Sequence, residues 1–255
     1  MTVFYYTATG NSLAVAKQIG GTLISIPQVV DADGQHYKDD VIGIVFPIYW
    51  WSPPIMVRKF LENARFEADY IFAIGTYGSI VAGAMASLHK YAERNGYRFD
   101  YLNQLKMLDN YLPVFNMASQ EKKLPKKRVA EKTAVIVADI GNRKQKGTSA
   151  FPLKLAMTSF MKNKFKPENN AKEYIVDAQC TKCKLCAKVC PAGNIAVTES
   201  VKFGNHCEGC LACIHLCPKN AMHHKKQRNE KRWRNPDVSL NEIIQANNRG
   251  SICES

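Results

Sequence analysis

The chain has 255 residues, nine cysteines, 46% hydrophobic residues and a formal net charge of +13. That length suits one sizeable core plus a smaller module, and no apolar run approaches the roughly 20 residues that a bilayer span needs. Met1 leads straight into an apolar segment with no basic region or small-residue cleavage site, so nine cysteines in an expected cytoplasmic chain point to metal rather than disulfides.

Residues 1–145 alternate strand-like and helix-like patterns, which predicts a parallel α/β sheet. Strands are expected over 2–6, 22–26, 40–46, 70–76 and 99–108, and helices over 11–19, 54–64, 81–95 and 128–140, after strands one, three, four and five. The polar connection 29–39 is too short for a full helix between strands two and three.

Between the first strand and its helix lie Thr7, Ala8, Thr9, Gly10, Asn11 and Ser12. The segment has no Gly-Lys-Ser/Thr and no GxGxxG, which excludes the NTPase P-loop and the dinucleotide fingerprint. Backbone N–H groups at a helix N-terminus can still hold a phosphate without a cation. An ordinary N-cap built on Asn11 is the alternative. In a sheet of order 2-1-3-4-5 the ligand sits at the switch between strands one and three, where the loops after strands one, three and four converge. The two later loops carry Pro47, Tyr49, Trp50 and Trp51, and Thr76, Tyr77 and Gly78. Aromatic side chains there suit a planar isoalloxazine ring, with burial in the core as the alternative.

The charge is uneven. Residues 1–120 carry 9 Lys and Arg against 10 Asp and Glu, residues 121–172 carry 14 against 4, and residues 219–234 carry 7 against 1. Residues 146–172 read as a basic linker with an amphipathic helix marked by Phe151, Leu155, Phe160 and Met161. A cysteine-rich unit follows over 173–225, then a polar C-terminal tail over 226–255 with one helix-like piece at 240–246.

Within the cysteine-rich unit the pattern CxxCxxCxxxCP occurs twice, as Cys180, Cys183, Cys186, Cys190 and Pro191, and as Cys207, Cys210, Cys213, Cys217 and Pro218. Val189 with Leu216 and Ile195 with Met222 repeat at the same offset of 27, which marks a duplicated structural unit. CxxCxxC lets one tight loop wrap three corners of a cubane, and the fourth corner comes from elsewhere. The competing assignment is two zinc sites, although zinc ligands pair CxxC steps across longer spans. Cys253 reads as a spare thiol, and His206, His223 and His224 as solvated side chains.

The spacing of the repeat resembles that of bacterial ferredoxins holding two [4Fe-4S] clusters, in which the fourth cysteine of each run ligates the other cluster. The resemblance implies one cluster on Cys180, Cys183, Cys186 and Cys217, and another on Cys207, Cys210, Cys213 and Cys190. The first loop with its aromatic later loops resembles flavodoxin, and the whole chain resembles anaerobe-type proteins that fuse the two. That implies a flavodoxin-like five-stranded parallel sheet over 1–145, then a small α+β two-cluster ferredoxin domain. It also implies FMN, with Thr7, Thr9, Gly10, Asn11 and Ser12 on the phosphate, and Trp50 or Trp51 and Tyr77 beside the ring. Residues 47–54 contain no glycine, a departure from flavodoxins.

The leading expectation is an electron-transfer protein passing electrons between clusters and FMN and on to a cytosolic redox partner, which would dock on the basic stretch 122–172. The alternatives are an FMN-dependent reductase of a small molecule and a redox sensor. Nucleic acid is disfavoured because the basic stretch has no binding module. No catalytic residue is legible, since His89 and Tyr91 fall on the predicted helix over 81–95, after strand four, away from the strand ends.

Overall fold

Along β1 (Thr2–Tyr5) successive side chains alternate sides, and both sides are buried: Val3 and Tyr5 face one apolar cluster and Phe4 the other. The computed structural model describes residues 1–32, 34–147 and 152–249. In chain order β1 is followed by α1 (Asn11–Ile19), β2 (Thr22–Ser25), α2 (Ile26–Val29), β3 (His36–Lys38), β4 (Val41–Pro47), α3 (Ile55–Asn63), β5 (Arg65–Glu67), β6 (Tyr70–Tyr77), α4 (Ala84–Arg94), β7 (Tyr101–Lys106), α5 (Met117–Lys123) and α6 (Val129–Gly141).

The main sheet has the order β2-β1-β4-β6-β7, with every neighbouring pair parallel. This is the flavodoxin-like arrangement, with its switch point between β1 and β4. On one face Leu13 of α1 and Ile136 and Ile140 of α6 pack against Val3, Val45 and Phe72. On the other, Val57 and Phe60 of α3 and Met85 and Leu88 of α4 pack against Phe4, Ile42 and Ile44. Burial on both faces explains why β4 and β6 are nearly continuous apolar runs.

Three departures from the sequence reading concern short elements. The connection 29–39 holds no full helix, but the one-turn α2 precedes it and β3 within it pairs in parallel with β5 in a separate two-stranded sheet. Helix α5 was not foreseen. It is seven residues long and starts where the Asn116 side chain accepts a hydrogen bond from the Ser119 amide at 3.0 Å. The fifth strand ends at Lys106 rather than 108, because the chain then turns to wall the cleft described below.

Beyond α6, helix α7 (Pro152–Lys164) lies against α4, and the Thr158 hydroxyl accepts a hydrogen bond from the Gly83 amide at 2.9 Å. Phe151, one of the residues that marked this helix, lies outside the described residues. Then come β8 (Tyr174–Val176), α8 (Leu185–Lys188), β9 (Ile195–Val197), β10 (Val201–Phe203), α9 (Ala212–His215) and β11 (Met222–His224). Every boundary of β8, α8 and β9 recurs 27 residues later in β10, α9 and β11. The two halves interlock: β11 pairs with β8 and β10 with β9, both antiparallel. Each half therefore contributes one strand to each pair.

The C-terminal segment does not behave as a polar tail. Residues 229–249 run back across the flavodoxin-like unit and end in α10 (Leu240–Asn247), whose Ile243 and Ala246 are buried in the first core cluster. Ser239 and Glu242 form a capping box, and Glu242 also pairs with Lys17 of α1 at 2.6 Å. The Ser25 hydroxyl donates to the Ala246 carbonyl at 2.6 Å. Lys17 first, then the hydrogen bonds from Ser239, hold the Glu242 carboxyl down at about 2. Its folded value lies below the unfolded 4.5, so its contribution is fully present above 4.5 and is lost as pH falls toward 2. Protection of the α10 amides, corrected for intrinsic exchange rates, should therefore fall between pH 4.5 and 2 in wild type. Glu242→Gln should remove that pH dependence, and identical profiles in the two proteins would refute the assignment.

Among the described residues no helix is long and apolar enough to cross a membrane.

Candidate functional site

The C-terminal ends of β1, β4, β6 and β7 open into one cleft holding about 1100 Å³ of empty space out to its mouth. Thr7, Ala8, Thr9, Asn11, Ser12, Pro47, Tyr49, Trp50, Trp51, Thr76, Tyr77 and Gly78 all line it, so twelve of the thirteen residues expected at a cofactor meet there.

Gly10 is the exception. It takes a left-handed conformation at φ 99°, and a Cβ on it would meet the Cβ atoms of Asn235 and Val238 at 3.0 Å. Its bare face is thus turned to the C-terminal segment, and the loop needs glycine to turn there.

Helix α1 begins at the cleft with no side-chain cap, so Asn11 is not an ordinary N-cap. Helix geometry leaves the amides of its first turn without intrahelical acceptors. Around them the Asn110 side chain donates to the Thr9 hydroxyl at 2.7 Å, the Ser12 and Thr76 hydroxyls share a hydrogen bond of 2.8 Å, and the Gly10 amide donates to the Thr7 hydroxyl at 3.2 Å. Thr7, Thr9 and Ser12 are all at most 3% exposed. The outer side of the loop is held by the C-terminal segment. The Asn235 amide donates to the Thr9 carbonyl at 2.8 Å, its side chain donates to the Asn11 side-chain oxygen at 3.0 Å, and Asn247 donates to the Thr7 carbonyl at 3.0 Å. A rigid ring of neutral donors with a positive helix end fits a phosphate.

The aromatic loop after β4 reaches the same cleft through a strained turn. Trp50 and Trp51 both have left-handed φ, 50° and 63°, although neither is glycine. Such a conformation costs on the order of 1–2 kcal/mol per residue, and strain of this kind persists only where surrounding contacts enforce it. Trp50 is held by stacking on Phe165 at 3.8 Å between centroids and by an edge contact with Tyr111 at 4.9 Å. Polar hydroxyls at one end and aromatic walls at the other fit a flavin mononucleotide.

Several lining residues were not foreseen. Leu108, Asp109, Asn110 and Tyr111 come from the loop after β7, where an Asp-Asn-Tyr sequence at a strand end was the available signal. Burial raises the Asp109 carboxyl above its usual range. Gly209, Cys210 and Leu211 enter the cleft from the cysteine-rich unit. The sequence alone could not bring two units so far apart along the chain to one wall.

The eight cysteines of the repeat divide between two further cavities. Cys180, Cys183, Cys186 and Cys217 line one of about 390 Å³, with Val176, Val197 and Met222. Cys190, Cys207, Cys210 and Cys213 line another of about 330 Å³, with Ile195, Phe203 and Tyr174. Cys210 thus faces both the second cavity and the large cleft.

The donor chemistry fits an iron-sulfur cluster. Burial first pushes the Cys186 and Cys190 thiols up to about 11, and Cys207, Cys210 and Cys213 upward as well, so these sulfurs become stable thiolates only against a cationic core. Backbone N–H groups already aim at two of them: Asn194 donates to Cys190 Sγ and Gly209 to Cys207 Sγ, each at 3.3 Å. Among the described residues no three His, Cys, Asp or Glu side chains converge on a single metal ion, as a zinc site would require.

Two further contacts fasten the cysteine-rich unit to the sheet. The Glu208 carboxylate, 5% exposed, accepts hydrogen bonds from the Ile55 and Met56 amides at 2.9 and 2.7 Å and so caps α3. The buried His215 ring bonds through Nε2 to the Asn110 carbonyl at 2.7 Å and through Nδ1 to the Trp233 amide at 3.1 Å. His224 is also buried, at 3% exposure against Tyr111 and Tyr174, and His223 pairs with Asp177 at 2.8 Å, so neither is simply solvated. His89 pairs with Glu93 on α4 and the Tyr91 hydroxyl donates to the Arg58 carbonyl, both outside the cleft. Cys253 lies outside the described residues.

Residues 172–218 match the family model of the 4Fe-4S dicluster domain. Pyruvate synthase subunit PorD of Methanocaldococcus jannaschii is 35% identical over 74 residues, 28% of this chain and 84% of that protein. A ferredoxin-like protein in the nif region of Trichormus variabilis is 38% identical over 52 residues, 18% of this chain and 42% of that protein. Among solved structures, two-electron reduced flavodoxin of Megasphaera elsdenii aligns at 18% identity over 41% of this chain and 85% of that one, with a TM-score of 0.30. The strand order, rather than that score, defines the fold of the N-terminal unit.

Proposed function

This chain belongs to the 4Fe-4S dicluster domain family through residues 172–218, and with that domain fastened to a flavodoxin-like sheet we propose that it carries electrons between two [4Fe-4S] clusters and FMN. The observation that carries the proposal is Cys210, which lines both the flavin cleft and the second cysteine cavity. In this reading Cys180, Cys183, Cys186 and Cys217 hold one cluster, and Cys190, Cys207, Cys210 and Cys213 hold the other. The first-turn amides of α1 with Thr7, Thr9 and Ser12 take the flavin phosphate, while Tyr77 and the Trp50–Trp51 turn flank the ring. FMN supplies a carrier of two electrons beside clusters that take one each, so the fusion joins one-electron to two-electron traffic.

The protein's own residues fix the geometry of that exchange. Glu208 and His215 dock the second cluster's loop against the cleft, and the left-handed Trp50–Trp51 turn together with Tyr111 walls the ring site. Metal, sulfide and flavin analysis of anaerobically purified protein tests the proposal. It should give about eight irons, eight sulfides and one FMN per chain. Bound zinc without acid-labile sulfide, or FAD in place of FMN, would overturn it.

The electrons then pass to or from a separate redox protein. The basic stretch 122–172 is one candidate docking face, although its lysines are distributed over α5, α6, α7 and the turns between them. A reductase reading draws on Asp109, a carboxyl raised by burial inside the cleft and so able to deliver a proton to a reduced substrate. If that reading holds, Asp109→Asn should lower turnover of a quinone at least about tenfold while leaving flavin content unchanged. Equal turnover in both proteins would remove the reductase reading.

A further inference from the structure

The two cysteine loops are copies of one unit, yet they meet different surroundings. At the offset of 27, Lys182 corresponds to Gly209, Cys183 to Cys210, Lys184 to Leu211 and Lys219 to Ala192. The backbones agree: Lys182 and Gly209 have φ 55° and 65°, and Lys184 and Leu211 have φ 62° and 60°. The second copy presents Gly209, Cys210 and Leu211 to the flavin cleft, where Leu211 is 2% exposed. The first copy presents the equivalent face, Lys182, Cys183 and Lys184, to solvent, and all three residues are exposed. Lys182, Lys184 and Lys219 line the same cavity as Cys180, Cys183, Cys186 and Cys217. Among the described residues none of these three lysines forms an ion pair, whereas nearby Asp177 is engaged with His223.

We propose that this lysine-rimmed face over Cys183 is the docking site for an external acidic one-electron carrier protein, and so the chain's port for electrons. The face has an occupied counterpart in the same molecule: the second copy uses it to meet the flavin unit, with small and apolar residues suited to a permanent contact. In the first copy the same positions are lysines, which suit a transient contact formed through complementary charge. Three lysines also exceed the charge of about −2 that an oxidised cluster with four thiolates carries, so the rim stays cationic in the loaded protein. The inference rests on the cluster assignment proposed above and goes beyond it by naming the surface and the chemistry of the partner.

The test is a binding titration of the loaded, oxidised protein with a small acidic bacterial-type ferredoxin, across a salt series. Wild-type affinity should fall as salt rises. The triple variant Lys182→Glu, Lys184→Glu, Lys219→Glu should bind at least about tenfold more weakly at low salt. The matched variant Lys122→Glu, Lys126→Glu, Lys132→Glu on the basic stretch should change affinity less than about twofold. Iron and sulfide content must match wild type in both variants. An unchanged affinity in the rim variant, or an equal loss in the two variants, would overturn the proposal. Chemical reduction of the rim variant should still bleach its flavin. Failure of that step with normal binding would count against the internal electron-transfer reading instead, so the two outcomes stay separate.

Discussion

Replacing Cys190 with serine should remove the cluster held by Cys207, Cys210 and Cys213, not the one held by the triplet that precedes it in sequence. Cys190 lines the cavity of the second triplet, and Cys217 that of the first. The crossing fits the interlocked halves, because each half contributes one strand to each antiparallel pair. Cys190→Ser should therefore abolish the paramagnetic signal of the cluster nearest the flavin and leave its neighbour, while Cys217→Ser does the reverse. A cluster that ligates through three cysteines loses iron readily, so the expected iron content is about half of wild type in each case. Loss of the sequence-adjacent cluster in either variant would refute the crossing.

Gly10→Val should cost the protein both stability and flavin. The residue stands at φ 99°, a region that a β-branched side chain enters only at a penalty of roughly 1–2 kcal/mol. Its Cβ would press on Asn235 and Val238 at 3.0 Å, and overpacking of a fitted contact adds roughly 1–3 kcal/mol. Because Asn235 holds the Thr9 carbonyl and the Asn11 side chain, displacing it disturbs the phosphate loop from behind. Gly10→Ala should show the same direction with a smaller loss. The checks are denaturant midpoints and flavin content, and full FMN retention by Gly10→Val with unchanged stability would contradict the clamp.

Much of the sheet was legible because its signals are local. Apolar runs such as 40–46 and 70–76 are long enough to declare doubly buried strands, and the helix over 11–19 was predicted with the bounds the structure has. The 27-residue repeat is visible directly as cysteine spacing, and the structure extends it to every strand and helix of the unit. What escaped the sequence depends on distant partners. Gly10 reads as a phosphate-loop glycine, but its open face is taken up by Asn235 and Val238 at the far end of the chain. The segment 229–249 looks polar because its anchors are Asn235, Ser239 and Asn247, which satisfy backbone groups rather than fill a core, while Trp233, Val238, Ile243 and Ala246 are its buried apolar groups. The asymmetry between Lys184 and Leu211 is present in the sequence, yet it acquires meaning only when one copy is found against the cleft and the other against solvent.

Flavin and clusters are proposed to exchange electrons inside one chain, through the wall that Cys210 provides. Flash reduction of the loaded protein at the clusters, followed by the flavin absorbance, tests it most directly. The flavin reduction rate should stay constant as protein concentration is varied tenfold, and should collapse in Cys190→Ser but not when Lys182, Lys184 and Lys219 are changed to glutamate. A rate proportional to protein concentration, or one untouched by Cys190→Ser, would contradict it.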